Sequence, residues 1–93
     1  MSETREARLR RMHMRSMRRG IKEMDIILSR YAEARLAGLS GDDLDCYDAL
    51  LSENDQDLYQ WVTGQRAAPD RFTALIADIA ATALGAAQER KTS

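Results

Sequence analysis

Residues 72–84 read FTALIADIAATAL, and this stretch has the clearest helical periodicity in the chain. Its apolar side chains recur at intervals of three and four residues, which places them on one face of an α-helix. They are Phe72, Leu75, Ile76, Ile79, Ala83 and Leu84. Such a face must be buried against other elements, so it predicts a core helix that begins near Pro69 and ends near Glu89. We expect Leu75→Ala to cost about 2–5 kcal/mol of stability.

Four further helices are predicted upstream. The first covers about residues 3–17 with Thr4 or Ser2 as its cap, and the second follows Gly20 and covers about residues 21–35. Ser40 can cap a third helix that ends near Glu53, and Asn54 or Asp55 can cap a short fourth helix that ends at Gly64. The side chains predicted to face the core are Ile21, Met24, Ile27, Leu28, Tyr31, Leu44, Tyr47, Leu50, Leu51, Leu58, Trp61 and Val62.

These stripes predict an all-α fold, a compact single-domain bundle of about five helices covering residues 1–93. A chain of 93 residues suits one domain. Its first helix is basic, and residues 91–93 are expected to form a disordered tail. No apolar run approaches the roughly 20 residues that cross a bilayer, so we expect no membrane insertion.

Charge is distributed unevenly. Residues 1–22 carry eight Arg or Lys and two Glu, whereas residues 23–63 carry ten acidic residues and two arginines. The pattern is consistent with a nucleic-acid arm, with a charged protein-binding face, or with solvated helix faces that neutralise each other in the fold. Charge alone does not separate these alternatives.

The predicted location is the bacterial cytoplasm. The N-terminal segment has no apolar core of the kind that a secretory signal needs. Its arginines resemble those of a mitochondrial presequence, but Glu3 and Glu6 argue against that interpretation. The single cysteine, Cys46, suits a reducing compartment.

Few residues are suited to chemistry. His13 is the only histidine and Cys46 the only cysteine, so no usual zinc site is expected and a Cys–His catalytic pair is disfavoured. The five glycines form no phosphate-binding loop, so we do not expect the chain to hold FAD by itself. The methionines near the N-terminus are either core residues or an adaptable contact surface.

The most distinctive candidate for a binding motif is RRGIKEMD, at residues 18–25. Gly20 lets another backbone come close, and Arg19 offers a planar set of donors for a carboxylate or a carbonyl. Glu23, one turn further on, can face the same side. The alternative is structural, with Gly20 permitting a turn, Arg19 solvated and Glu23 supporting the start of a helix.

Two blocks of sequence resemble a known family. Arg19-Gly20-x-x-Glu23 followed by MDIIL is similar to the RGxxE signature of the SdhE family, and YDALL at residues 47–51 with DQDLYQW at residues 55–61 resembles its second block. The blocks occur in the expected order and spacing. The resemblance covers roughly residues 8–80.

The resemblance implies a small helical assembly factor that binds the flavoprotein subunit of succinate dehydrogenase, and that of fumarate reductase, and promotes covalent FAD attachment there. It implies that Arg19, Gly20 and Glu23 bind the partner, with Arg18 and Asp25 as secondary candidates. The FAD belongs to that flavoprotein, which is the client of the assembly factor. The factor itself is expected to be a monomer when it is not bound to the client, and not an enzyme. The alternative is an antitoxin-like or nucleic-acid-binding regulator that uses the basic first helix. Of the two interpretations we favour the assembly factor, and we do not expect this chain to bind nucleic acid.

Overall fold

A computed structural model describes residues 3–92, with side chains from Glu3 to Ala83. The described residues form five α-helices and no strand, which confirms the all-α prediction. The helices are α1 (Arg5–Ser16), α2 (Lys22–Arg35), α3 (Gly41–Leu51), α4 (Asp55–Val62) and α5 (Thr73–Thr92), with 3₁₀ turns at Leu36–Gly38 and Asp70–Phe72. None of the helices in this described range is long and apolar enough to cross a bilayer.

Polar side chains fix the start of three helices. Thr4 accepts a hydrogen bond from the Ala7 amide at 3.1 Å, and Ser40 accepts one from the Asp43 amide at 3.2 Å. Asn54, not Asp55, caps α4, with its side chain 2.8 Å from the Gln56 amide. Each cap satisfies an amide that has no partner inside the helix. Gly64, with φ of +80°, follows α4, as glycine often does after a helix.

Helix α2 lies at the centre of the bundle and packs against α1, α4 and α5. Tyr31 on α2 and Tyr47 on α3 are both buried, with ring centroids 5.5 Å apart. The Tyr47 hydroxyl forms a 2.6 Å hydrogen bond with the buried Ser16 hydroxyl, while burial raises the pKa of Tyr47 to about 12. Tyr47 is therefore neutral at physiological pH and links α3 to the end of α1.

The α5 stripe is buried more unevenly than its periodicity predicts. Phe72, Ile76 and Ile79 lie in the core, but Leu75 is only half-buried at its edge. The Leu84 side chain lies outside the described residues. Helix α5 continues to Thr92, so two of the three residues predicted as a disordered tail are helical, and Ser93 is outside the described range.

The basic face of α1 lies against the acidic face of α3. Arg8 is 2.6 Å from Asp45, whereas Arg11 and Arg15 approach Asp48 at 3.1 Å and 2.6 Å. The arginines that face α3 are therefore paired with acidic groups of the same chain. The uneven charge is thus partly neutralised within the fold, which favours the last of the three interpretations and weakens the nucleic-acid one.

Asp48 should contribute to acid sensitivity. The hydrogen bond from Arg11, followed by the charges of Arg15 and Arg8, lowers the pKa of Asp48 in the folded chain. A lowered folded pKa stabilises the fold above the unfolded value, near 4, and this stability is lost as pH falls through the folded pKa. Asp48→Asn should cost about 1 kcal/mol at pH 7, a modest figure because the network is partly solvated. The two melting temperatures should converge as pH falls below the lowered pKa of Asp48.

Asp45→Asn is the matched control, since Asp45 lies one turn earlier on α3, is largely exposed and pairs only with Arg8. Its melting temperature should follow that of the wild type across the acid range. Parallel curves for Asp48→Asn and wild type, from pH 7 down to pH 2, would contradict the role assigned to Asp48.

Candidate functional site

The predicted site lies in the loop that joins α1 to α2. Helix α1 ends at Ser16, and Met17 turns the chain into an extended conformation. Arg18 then adopts φ of +56°, a left-handed conformation that a residue with a side chain rarely takes. This reversal places consecutive arginines in different environments: Arg18 is exposed, and Arg19 is turned toward the fold.

Arg19 joins the ends of three helices. Its Nε is 2.8 Å from Oδ1 of Asp55, the first residue of α4. Its Nη1 donates to the carbonyl oxygens of Arg15 on α1, at 2.9 Å, and Leu51 on α3, at 3.1 Å. The guanidinium therefore lies at the negative ends of two helix dipoles and the Asp55 carboxylate at the positive end of a third, an arrangement that stabilises both charges.

The interpretation of Arg19 as an exposed donor for a partner is therefore wrong, and so is its solvated alternative. Only 11% of the Arg19 side chain and 15% of the Asp55 side chain are exposed. The donors of Arg19 point to acceptors of its own chain, so the side chain has little capacity left for a carboxylate of another protein. Partner binding through Arg19 stays a prediction, and only a small part of its side chain is open to it.

Gly20 is exposed, and its requirement for glycine comes from a close approach within the chain. Its amide donates to Oδ2 of Asp55 at 2.5 Å. A Cβ at this position would lie 3.1 Å from the same oxygen, tighter than ordinary packing. Its φ lies outside the left-handed region. Crowding, and not backbone strain, therefore opposes a side chain at Gly20.

The remaining predicted residues occupy the start of α2. Glu23 is exposed in the first turn, where a carboxylate is stabilised by the positive end of the helix. Asp25 is half-buried and accepts a 3.3 Å hydrogen bond from Ser29. The structure thus presents Arg18, Gly20 and Glu23 to solvent within six consecutive residues, while Arg19 and Asp25 are engaged inside the chain.

Large apolar side chains are exposed on both sides of this loop. Within the described residues the exposed ones are Met14 at 65%, Met17 at 49% and Ile26 at 45%. Two lie at the end of α1 and the third lies one turn after Glu23 on α2, whereas Met12 and Met24 are core residues. Met12 and Met24 therefore agree with the core interpretation, while a contact surface at the exposed Met14 and Met17 stays a prediction. Adaptable apolar side chains beside exposed charges are typical of a protein-binding surface. We call Met14, Met17, Arg18, Gly20, Glu23 and Ile26 the loop surface.

A concavity of about 280 Å³ lies between α2, α3 and α5, apart from the loop surface. Three of its polar side chains engage one another, since Asp78 accepts hydrogen bonds from Tyr31 at 2.8 Å and Arg35 at 3.3 Å. The Cys46 thiol borders it and is 3.4 Å from the Arg71 carbonyl oxygen. Burial raises the pKa of this thiol, which disfavours the reactive thiolate.

The described residues bring together no group of three or more His, Cys, Asp or Glu side chains suited to a metal ion. His13 lies on α1 and Cys46 on α3. Asp55 is the residue that sequence reasoning missed, because it was read as an alternative cap of α4. Its presence in the second block of the family resemblance was the available signal.

Comparisons with known proteins agree with the resemblance. A family model described as a flavinator of succinate dehydrogenase matches residues 10–83. The protein named succinate dehydrogenase assembly factor 2, mitochondrial, of Meyerozyma guilliermondii is 49% identical over 61 residues, which cover 66% of this chain and 45% of that protein. The protein of the same name from Schizosaccharomyces pombe is 40% identical over 70 residues, which cover 75% of this chain and 50% of that protein.

The chain spans half the length of these relatives or less. By their names they are mitochondrial, and they come from fungi. The prediction of a bacterial cytoplasmic location is therefore wrong. That prediction rested on the composition of the N-terminal segment, above all on Glu3 and Glu6, and the location named for these relatives contradicts it.

Proposed function

The chain belongs to the family of flavinators of succinate dehydrogenase, and we propose from this membership that it binds the flavoprotein subunit of that enzyme and promotes covalent attachment of FAD. The family match over residues 10–83 carries the proposal. It includes the whole α1–α2 loop, the start of α2, and the helices that hold them in place.

The loop surface is the proposed docking site. Arg18 and Glu23 offer opposite charges, and the exposed Gly20 backbone permits close approach. Met14, Met17 and Ile26 supply apolar surface that would be removed from water on binding. Interfaces of this kind combine an apolar centre with charged residues that set orientation.

The proposed mechanism is positioning of the client. The flavin, and the histidine to which it becomes linked, belong to the client flavoprotein, and the factor holds mobile parts of the client in the reactive arrangement. Such positioning raises the effective concentration of the reacting groups without a catalytic residue on the factor. The same surface would serve the flavoprotein subunit of fumarate reductase as a second client, and we propose that the free factor is a monomer.

Glu23→Ala should impair docking while leaving the fold intact. Glu23 is exposed, so its removal should change the stability by no more than about 0.5 kcal/mol. As a contact residue of the loop surface, its removal should cost about 2 kcal/mol of client binding. The assay co-expresses the client subunit with each variant in cells lacking the native factor and measures the flavin fluorescence retained by the denatured client.

Glu33→Ala is the matched control, because Glu33 is an exposed glutamate on α2 roughly 15 Å further along the same helix. It should support wild-type flavin attachment. Equal flavin signals from the wild type and Glu23→Ala, at matched client abundance, would remove Glu23 from the docking site. A wild-type chain that gives no more flavin attachment than an empty vector would overturn the proposed function itself.

A further inference from the structure

The carboxylate of Asp55 bridges two consecutive residues of the docking loop. Oδ1 accepts from Arg19, with Nε at 2.8 Å and Nη2 at 2.7 Å, and Oδ2 accepts from the Gly20 amide at 2.5 Å. One buried side chain thus fixes both a side chain and a backbone group of the loop. These contacts link residues separated by 35 or 36 positions in the sequence.

We propose that Asp55 is a positioning residue for client docking: its carboxylate holds the α1–α2 loop so that Arg18, and not Arg19, faces the client. The inference rests on the proposed function, since it concerns the same surface. Arg19 then contributes through its contacts inside the fold, and Arg18 is the cation that contacts the client.

Asp55 is free for this role because it is not the cap of α4. Asn54 already satisfies the Gln56 amide, with its side-chain oxygen at 2.8 Å. The Asp55 side chain therefore does not cap its own helix and points toward the loop. Both of its oxygens are occupied there, and the side chain is only 15% exposed.

The conformation of Arg18 requires such an anchor. Its φ of +56° is costly for a residue with a side chain and persists only where neighbouring contacts hold it. The two residues that follow Arg18 are the ones that Asp55 binds. Because Arg19 is drawn inward and the Gly20 amide is fixed, the chain must reverse at Arg18, which directs its side chain to solvent.

The same geometry gives Gly20 a second reason to be glycine. A Cβ there would lie 3.1 Å from Oδ2 of Asp55, so the carboxylate that anchors the loop would have to shift by a few tenths of an ångström. A side chain at Gly20 would therefore act on the anchor inside the molecule as well as on the contact with the client.

The test combines a solution measurement with a double-mutant cycle. In the wild-type factor, a through-hydrogen-bond NMR correlation should connect the Gly20 amide nitrogen with the Asp55 carboxyl carbon, and Asp55→Asn should move the Gly20 amide proton upfield. Client affinity is then measured for the wild type, Arg18→Ala, Asp55→Asn and the double variant, below the melting temperature of each. We expect about a tenfold loss for each single variant.

A positioning role predicts that the losses do not multiply. If Asp55 acts by presenting Arg18, removing Arg18 from a chain that lacks the anchor should cost little more, so the double variant should lose about tenfold and not a hundredfold. A general loss of stability would leave the two effects multiplicative. Asp57→Asn is the control, because Asp57 lies on the same helix and pairs with Arg66 at 2.8 Å, and it should bind the client like the wild type.

Wild-type client affinity for Asp55→Asn, a multiplicative cycle, or the absence of the Gly20–Asp55 correlation would each overturn the inference. Should Asp55→Asn not fold, Asp55→Glu, which keeps the charge but moves the carboxylate away from the loop, replaces it in the cycle with the same expected result. Failure of the proposed function is a distinct outcome, since a wild-type factor that ignores the client flavoprotein can still show the correlation.

Discussion

Arg19→Ala should be one of the most destabilising single substitutions in this chain, at about 3–5 kcal/mol. Its removal leaves the Asp55 carboxylate buried without its cation and deprives the carbonyl oxygens of Arg15 and Leu51 of a donor. In a domain of this size a loss of 3 kcal/mol lowers the melting temperature by roughly 12 °C or more. Thermal unfolding followed by circular dichroism measures the shift directly.

Arg18→Ala is the control, because it removes the same side chain from the adjacent, exposed position. It should change the free energy of unfolding by no more than about 0.5 kcal/mol. Equal melting temperatures for Arg19→Ala and Arg18→Ala would contradict the inward assignment of Arg19. This expectation also limits functional assays, since a loss of flavin attachment in Arg19→Ala reports on folding before it reports on docking.

Ile79→Ala should cost about 2–5 kcal/mol, the range for a large side chain removed from a packed core. Ile79 is fully buried on the face of α5 that contacts the core. Because α5 packs against α2, α3 and α4, these helices cannot all close the space that the side chain leaves. Urea unfolding at 25 °C would give the difference from the midpoint, with the slope unchanged.

Leu75→Ala provides the comparison on the same helix. Leu75 borders the concavity between α2, α3 and α5 and is half-buried, so its truncation should cost roughly half as much as that of Ile79 or less. This revises the larger cost expected from periodicity alone. A greater loss for Leu75→Ala than for Ile79→Ala would show that the core is centred elsewhere on α5.

The sequence was informative wherever the deciding signal was local. Caps such as Thr4 and Ser40 lie beside the amides that they bind, so a few residues of sequence identify them. The apolar faces of α3 and α4 follow from their spacing for the same reason, and Leu44, Leu50 and Leu58 are buried as expected. Helix periodicity gives the centre of a buried face reliably, but its edges depend on what lies opposite, which is why Leu75 was misplaced.

The direction of Arg19 could not be predicted from local pattern. Two adjacent arginines before a glycine are equivalent in sequence, and what distinguishes them is Asp55, 36 residues away from Arg19. The positive φ of Arg18 is likewise a consequence of that distant contact, since nothing in the residue itself favours it. Gly20 and Glu23 were predicted as site residues because a family motif marked them, and both are exposed in the structure.

The distance in sequence between the loop and Asp55 bears on when the loop surface comes into being. Residues 17–21 leave the ribosome long before α4, yet their shape depends on a side chain that is synthesised 35 positions later than Gly20. During translation the early segment has no anchor and cannot hold Arg18 in its left-handed conformation. The proposed docking surface therefore arises only after α4 has packed, and we expect a nascent or truncated chain to bind no flavoprotein before its own folding is complete.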